Sequence, residues 1–284
     1  MNIDIGVSTW LWTSPFNSET QELFPKIKKM GYDSVEIPVE DPELIDINKV
    51  KQALKHNNLK PIICAAFGSS RDLTHEDAQV HQNCINYLEA CFKISAELDA
   101  KFVAGPMYSA VGKVRLLSPD KRQDEWDLAV SNLKKVCRIA EKYGQQIALE
   151  PLNRFESDLV NTAEDAVRMV RDIDHPSAKI LLDSFHMTLE ERNLKSAIET
   201  AGNDLIHVQV SENYRGAPGS GQTRWDDIKT GLENINYNGS VSIESFTPEI
   251  KELAGAVCIW RKFSESQDQF AIDGVKFLKE LFEK

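Results

Sequence analysis

The sequence lacks the features that mark membrane, secreted and nucleic-acid-binding proteins. No stretch approaches the run of about 18 apolar residues that a membrane span needs. The N-terminus has neither a basic region nor a long apolar segment, so we expect no signal peptide and no membrane partner. Basic clusters are missing too, and the formal net charge is −11, which repels phosphate groups. We therefore expect a small neutral ligand or a protein as the partner, and no nucleic acid.

Cysteine is sparse, and its placement excludes two further classes of protein. The five cysteines are an odd number, widely scattered and without CxxC spacing: Cys64, Cys84, Cys91, Cys137 and Cys258. This pattern fits neither a disulfide framework nor a zinc knuckle, and it favours reduced thiols in the cytoplasm. Four of the five are predicted to be small buried residues. Cys64 is the one that we expect beside a substrate.

Short apolar runs alternate with longer amphipathic stretches along the whole chain. The predicted strands are Ile3–Val7, Ser34–Ile37, Pro61–Ala66, Phe102–Ala104, Gln146–Leu149, Lys179–Leu182, Leu205–Val210 and Ser240–Ile243. The predicted helices include Glu19–Met30, His75–Leu98, Lys121–Lys142, Thr162–Asp172 and Gln267–Phe282. Such strands, rich in Ile, Val, Leu and Ala, are typical of parallel sheets that are buried on both faces.

Eight strand–helix units in succession predict a closed parallel barrel. An open doubly wound sheet is the alternative, but it usually carries a GxGxxG turn after its first strand, and none follows Val7. No Ser/Gly-rich linker divides the chain. We predict an α/β fold, a single-domain (β/α)8 TIM barrel over residues 1–284. Gly31 and Gly231 follow amphipathic runs that are predicted to end there, and Thr162 with Asp165 predicts a helix cap.

Oxygen-bearing side chains follow or close the last four predicted strands. These residues are Glu150, Asp183, Gln209 and Glu244, and they are 33, 26 and 35 residues apart. Each separation is close to one strand–helix unit of a barrel, roughly 30 residues. Because active-site residues of such barrels lie at the carboxyl ends of the strands, the four side chains are predicted to converge on one point.

Three carboxylates in one dry site repel each other unless a positive charge neutralises them. A divalent cation does this, and an oxygen-rich donor set suits a hard ion such as Mn²⁺ or Mg²⁺ better than structural Zn²⁺. The sequence therefore predicts a metal site formed by these four residues.

Four segments carry a resemblance to a known family: IALEPLNRFE (147–156), ILLDSFHM (180–187), HVQVSENYRGAPGSG (207–221) and SIES (242–245). Together they resemble the xylose-isomerase-like barrel superfamily. Within it, the chain is most similar to the ketose 3-epimerases of the tagatose/psicose (allulose) group, over nearly its whole length.

The resemblance implies a sugar substrate, a metal ion and particular residue roles. Glu150, Asp183, Gln209 and Glu244 would ligate Mn²⁺, or alternatively Mg²⁺ or Co²⁺. Glu150 and Glu244 would also be the catalytic acid/base pair, with one carboxylate removing the proton next to the ketose carbonyl and the other returning one. Five residues would bind substrate: Glu156, His186, Arg215, Cys64 and Tyr108. The resemblance further implies a homo-oligomer, either a dimer or a tetramer.

The chain departs from the ketose epimerases at the seventh strand. Their ligand there is a histidine, and the matching residue here is Gln209. His207 lies two residues earlier on the same face, and we expect it to support the site from below. Glutamine at this position resembles the hydroxypyruvate isomerases. Trp12 and Phe67, which follow strands one and three, are predicted to help wall the pocket.

Several functions share these residues, and the sequence leaves them open. One alternative is an aldose–ketose isomerase of the hydroxypyruvate type. A second is a lyase acting on a 3-keto sugar or an inosose, because the first half of the chemistry is the same. Apurinic endonucleases share the barrel but need more histidine ligands than the two near this site. A sugar-binding protein without catalysis would not need both acid/base glutamates.

Overall fold

The computed structural model contains a closed barrel of eight parallel strands in the order β1 to β8. It describes residue 1 and residues 3–283. Over these residues, the strands are β1 Asp4–Ser8, β2 Ser34–Val39, β3 Lys60–Ala65, β4 Phe102–Gly105, β5 Gln146–Leu149, β6 Ala178–Asp183, β7 Leu205–Val210 and β8 Ser240–Ile243. The predicted (β/α)8 barrel is confirmed, and each predicted strand lies within two residues of the observed one at either end. The exact domain bounds, 1–284, stay a prediction, because Asn2 and Lys284 lie outside the described residues.

Helices surround the barrel. Within the described part of the chain they are α1 Phe24–Met30, α2 Ile47–Asn57, α3 Ala78–Glu97, α4 Pro119–Lys142, α5 Ala163–Ile173, α6 Ser184–Glu190, α7 Leu194–Ala201, α8 Trp225–Asn234, α9 Lys251–Ala256 and α10 Gln267–Glu283. The main core lies between the strands and these helices. A smaller apolar layer fills the barrel interior, formed by Ile62, Cys64, Ala104, Ala148 and Leu181.

The ends of the helices show where local sequence signals hold and where packing overrides them. Thr162 and Asp165 form the predicted capping box at the start of α5. Gly31 ends α1 with a φ of 103°, in the left-handed region that favours glycine. Gly231 does not end a helix, so that prediction is wrong. It lies inside α8, where an added Cβ would be 3.0 Å from the Cβ of Ile198 on α7, so glycine permits the close approach of the two helices.

Two predicted helices begin later than expected. Glu19–Met30 is divided into a short 3₁₀ turn, Thr20–Leu23, followed by α1. His75–Leu98 is α3, which begins only at Ala78 because the side chain of Asp77 accepts a hydrogen bond from the Gln79 N–H and caps the helix.

The strand register aligns the predicted site residues at one end of the barrel. Asp183 pairs with Gln209, and Gln209 pairs with Ser242, two residues before Glu244. The backbone N–H of Glu150 donates to Gly105 O at 3.3 Å, just beyond the paired part of β4 and β5. Among the helices that the structure describes, none is both long and apolar enough to cross a membrane.

Candidate active site

A cavity of about 340 Å³ opens at the carboxyl ends of the strands. Most of its polar lining comes from the second half of the barrel, including Glu150, Glu156, His186, Gln209, Arg215 and Glu244, while Ser14 and Glu40 come from the first half. Its apolar wall comes mainly from the first half, including Trp10, Cys64, Ala65, Phe67 and Ala104. A cavity with one polar pole and otherwise apolar walls is typical of a site for a single small molecule.

One buried guanidinium, that of Arg215, joins two carboxylates of the polar pole, Asp183 and Glu244. Arg215 Nη1 lies 2.6 Å from Asp183 Oδ2 and 3.0 Å from Glu244 Oε2. Burial raises the pKa of Glu150 and Glu244 well above the usual range, although the positive charge of Arg215 works against it. Burial alone would also raise the pKa of Asp183, but the charge of Arg215 and its hydrogen bond reverse the shift, so the pKa is lowered. Asp183 therefore stays ionised, while the two glutamates favour binding a proton.

The loop after β7 presents Arg215 in a fixed position. Arg215 adopts a φ of 63°, and its carbonyl oxygen accepts a 2.7 Å hydrogen bond from the Ser245 hydroxyl. Glu212, fully buried, accepts hydrogen bonds from the Gly219 and Thr223 N–H groups and from the Trp225 indole. This loop is therefore tied to both β8 and α8, which keeps the guanidinium over the carboxylates.

The side-chain amide of Gln209 makes hydrogen bonds through its nitrogen but not through its oxygen. Its Nε2 donates to Glu36 Oε2 and to Glu244 Oε1, each at 3.0 Å. Its Oε1 is buried and accepts no hydrogen bond from any residue that the structure describes. A buried oxygen without a donor is costly in a folded protein, and a cation is one partner that would satisfy it.

The contacts of His186 favour one tautomer. The Asn153 backbone N–H and side-chain amide lie 3.0 and 2.9 Å from Nδ1, which favours the ring proton on Nε2 over the longer 3.3 Å contact of Nε2 with Arg215 Nη2. That Nε2 lies 3.5 Å from Glu150 Oε1. Burial lowers the pKa of His186, which keeps the ring neutral. His186 therefore directs a hydrogen-bond donor at the polar pole.

Metal-binding groups do gather at this pole. Glu150, Asp183 and His186 each offer an atom within 4.8 Å of the other two, so the three could hold a metal ion. Because Nε2 of His186 carries the proton, we expect this residue to donate a hydrogen bond and not to bind the metal ion. The carboxylate oxygens and the unpaired Gln209 oxygen are then the candidate ligands. Such a set fits Mn²⁺, Mg²⁺ or Co²⁺.

Two of the residues predicted for the pocket lie away from it. Tyr108 is fully buried, its hydroxyl donates to Val160 O at 3.1 Å, and it does not line the cavity. Trp12 turns its indole N–H toward Asp268, and Trp10 lines the cavity in its place. Both predictions took an aromatic residue that follows a strand, and the sequence does not show which way the loop turns.

Cys64 lines the cavity beside Gln209, with Sγ 3.9 Å from Nε2. Burial raises the pKa of its thiol well above the usual range. The sulfur is therefore protonated, and it forms part of the wall.

Two polar residues that the sequence analysis missed organise the site. Glu36, on β2, is fully buried and bonded to Gln209 and His207. Asn153 donates from Nδ2 to Glu156 Oε1 at 2.7 Å while its backbone binds His186. Glu36 had a visible signal, since a carboxylate within the apolar run SVEIPV requires a buried partner. Asn153 had none, because its role depends on the path of a loop.

In (β/α)8-barrel enzymes the active site lies at the carboxyl ends of the strands. The acidic cavity of this protein lies at the same end of its barrel. The sequence comparison agrees: the family described as xylose isomerase-like TIM barrel matches residues 24–281. The chain belongs to this family.

Individual relatives cover almost the entire chain. A D-psicose 3-epimerase of Ruminiclostridium cellulolyticum is 31% identical over 94% of this chain and 92% of its own length. A probable ketose 3-epimerase of a Synechocystis species is 30% identical over 99% of this chain and 97% of its own. The crystal structure of a D-allulose 3-epimerase from a Methylomonas species superposes with a TM-score of 0.91 at 25% identity, covering 99% and 98% of the two chains. The resemblance read from the sequence is therefore confirmed.

Proposed function

We propose that this protein is a divalent-metal-dependent ketose 3-epimerase. The observation that carries the proposal is the pair Glu150 and Glu244, two buried carboxyl groups that reach one cavity from β5 and β8. These strands are three positions apart in the ring of eight, so the carboxyl groups approach a substrate from different sides. Inverting a carbon requires one proton-transfer group on each face. The relatives named ketose and psicose 3-epimerases supply the reaction class.

The metal ligands that we propose are Glu150, Asp183, Gln209 and Glu244. Their oxygen donors fit Mn²⁺, with Mg²⁺ or Co²⁺ as alternatives. When bound, such an ion polarises the ketose carbonyl and lowers the barrier to removing the neighbouring proton.

The side chains of this protein would then move one proton at the substrate C3. One of Glu150 and Glu244 takes the C3 proton, which leaves an enediolate. The other, protonated on the opposite face, returns a proton to C3 and inverts it. Burial raises the pKa of both glutamates, which favours this exchange because it makes each carboxylate a better proton acceptor.

Neighbouring residues would hold the sugar in place for the transfer. His186 donates from Nε2–H to a substrate oxygen, and Arg215 supplies a second donor on the same side. Glu156, steadied by Asn153, accepts from a hydroxyl group. Cys64 and Phe67 close the apolar side. We leave Tyr108 out, because it does not line the cavity.

We also propose that the substrate is unphosphorylated. Arg215 is the one cationic side chain among the cavity-lining residues that the structure describes, and Asp183 and Glu244 already engage it. The carboxylates of Glu40, Glu156 and Glu252 also face the cavity, and they would repel a phosphate group.

Proton NMR in D₂O tests the reaction. The metal-loaded protein is incubated with fructose, psicose, tagatose and sorbose. We expect deuterium at C3 and the appearance of the C3 epimer. Deuterium at the neighbouring carbon with an aldose product would indicate the isomerase instead, and a new ultraviolet chromophore from a 3-keto sugar would indicate the lyase. A protein that binds metal but exchanges no proton of any ketohexose would contradict the proposal.

Two further properties of the protein rest on the resemblance and on the cysteine pattern respectively. We infer a homo-oligomer, a dimer or a tetramer, and a cytoplasmic location consistent with free thiols. Light scattering of the purified protein tests the oligomeric state directly, and a monomer at micromolar concentration would contradict it.

A further inference from the structure

Glu36 is a buried carboxylate to which neither the resemblance nor the proposed chemistry gives a role. It lies on β2 inside the barrel, and its side chain and that of His207 are both fully buried. Its Oε1 is 2.6 Å from His207 Nε2 and its Oε2 is 3.0 Å from Gln209 Nε2. Glu36 does not line the cavity, so it acts on a substrate only through other residues.

The surroundings of Gln209 leave its amide one orientation. The amide nitrogen lies between oxygens of Glu36 and Glu244, each 3.0 Å away. Each of these contacts joins an amide N–H donor to an acceptor oxygen, so the NH₂ end of the amide faces Glu36 and Glu244. The carbonyl oxygen therefore points away from these two oxygens, and it has no hydrogen-bond partner among the described residues.

We propose that Glu36 is a positioning residue that turns the Gln209 oxygen toward the metal site and strengthens it as a ligand. A carboxylate that accepts from an amide N–H draws electron density toward the amide oxygen, as carboxylates behind metal-binding histidines raise the basicity of the ring. With this support, the amide of Gln209 could act as a metal ligand. The ketose epimerases that the chain resembles have a histidine at this position. The inference rests on the proposed metal site.

Glu36→Gln tests this with almost no change of volume. Two donors, His207 Nε2–H and Gln209 Nε2–H, face residue 36. A carboxylate accepts both, whereas an amide offers one oxygen and one NH₂ group. In the variant the NH₂ group of residue 36 would face either Gln209, whose oxygen it would turn away from the metal site, or His207, whose ring proton would move to Nδ1. Both arrangements remove the carboxylate charge behind the Gln209 amide.

The measurement is Mn²⁺ affinity, determined without any sugar. Mn²⁺ is titrated into the metal-stripped full-length protein, and free Mn²⁺ is counted by electron paramagnetic resonance. We expect Glu36→Gln to raise the Kd for Mn²⁺ by about 10- to 100-fold. In a Gln209→Ala background the same substitution should change the Kd by less than about 2-fold, because the residue through which Glu36 acts is gone.

Ser34→Ala is the matched control. Ser34 lies on the same strand two residues earlier, is fully buried, and its hydroxyl has no hydrogen-bond partner among the described residues. Its removal should leave Mn²⁺ affinity unchanged. If Glu36→Gln does not fold, Glu36→Asp keeps the charge but withdraws the carboxylate by one methylene. It should then weaken Mn²⁺ binding several-fold.

Two results would overturn the inference by itself. One is a Glu36→Gln protein that binds Mn²⁺ as tightly as the wild type. The other is an equal loss of affinity in the Gln209→Ala background, which would mean that Glu36 acts through the barrel as a whole. A wild-type protein that binds no Mn²⁺ would instead refute the metal part of the proposed function and this inference with it. The deuterium-exchange experiment would then decide whether the reaction survives.

Discussion

The two halves of the barrel contribute different things to the same cavity. The second half places Glu150, Asp183, Gln209 and Glu244 at or directly after the ends of β5–β8. The first half, β1–β4 and their loops, supplies mainly apolar side chains such as Trp10, Cys64, Phe67 and Ala104. Ser14 and Glu40 are polar lining residues of the first half, and Glu36 of β2 lies outside the cavity but contacts His207 and Gln209 on β7. The comparison indicates that the second half carries the chemistry and the first half shapes the space.

This division predicts which measurement each substitution will change. Losing a proton-transfer group lowers turnover, because the group acts in the transition state. Losing an apolar wall weakens binding in the ground and transition states alike, so it raises KM more than it lowers kcat. A proton-transfer variant that mainly raises KM, or a wall variant that mainly lowers kcat, would contradict this division.

The largest effect is expected from Glu150→Gln and Glu244→Gln in the second half. Each removes a proton-transfer group and a metal ligand, so kcat should fall by about 10²- to 10⁴-fold. Steady-state kinetics with the best ketose checks this. Glu141→Gln is the control, since Glu141 is exposed on α4 and lies away from the cavity. A variant at either site that keeps a tenth of the wild-type kcat would argue against a two-carboxylate mechanism.

A smaller effect is expected from Phe67→Ala in the first half. Phe67 lines the cavity and packs edge-on against Tyr87, with ring centroids 6.1 Å apart. Removing the ring should raise KM by about 10-fold while kcat stays within about 3-fold, in line with the loss of one apolar contact surface. Leu116→Ala, at a fully exposed residue, should leave both constants unchanged. A fall in kcat larger than the rise in KM would place Phe67 with the chemistry instead.

The smallest effect is expected where the two halves are joined. Lys113 Nζ lies 3.0 Å from Asp72 Oδ2 and 2.6 Å from the Thr74 hydroxyl, and its carbonyl accepts from the Asp158 N–H in the loop after β5. Burial alone would raise the pKa of Asp72, but hydrogen bonds from Thr74 and Lys113 outweigh it and lower the pKa. The ionised form of Asp72 is therefore favoured in the folded protein.

Asp72→Asn should reduce the free energy of unfolding by about 1–3 kcal/mol at neutral pH, with little change in kcat. Because the folded pKa lies below the unfolded one, the contribution is complete above about pH 4 and is lost as the pH falls through the folded value. Thermal unfolding of the two proteins should differ equally at pH 7 and pH 5 and converge at more acid pH. Glu249→Gln, in an exposed ion pair with Lys262, is the control and should cost less than about 0.5 kcal/mol. A difference that persists at low pH would exclude the charge of Asp72 as the cause.

Much of the fold could be predicted from the sequence because its signals are local. Buried parallel strands require continuous apolar runs, so all eight strands were visible, including β5 at its observed bounds. The carboxylates of the second half followed from their spacing by one strand–helix unit. The choices that failed were those that depend on packing. Gly231 lies within α8, where the absence of a side chain leaves room for Ile198 on α7. Tyr108 faces the core because its loop turns that way after β4.

The sequence by itself determined the barrel, the acidic end of its second half and the family, because strand periodicity and the residue after each strand are fixed along the chain. Only the tertiary structure decided which side chains face each other. Glu36 and Gln209 are 173 positions apart and meet because β2 and β7 face each other across the barrel interior. Arg215 lies over Asp183 and Glu244 because the loop after β7 is anchored at both ends. Such contacts depend on closure of the sheet and on loop anchoring, which no local pattern of residues records.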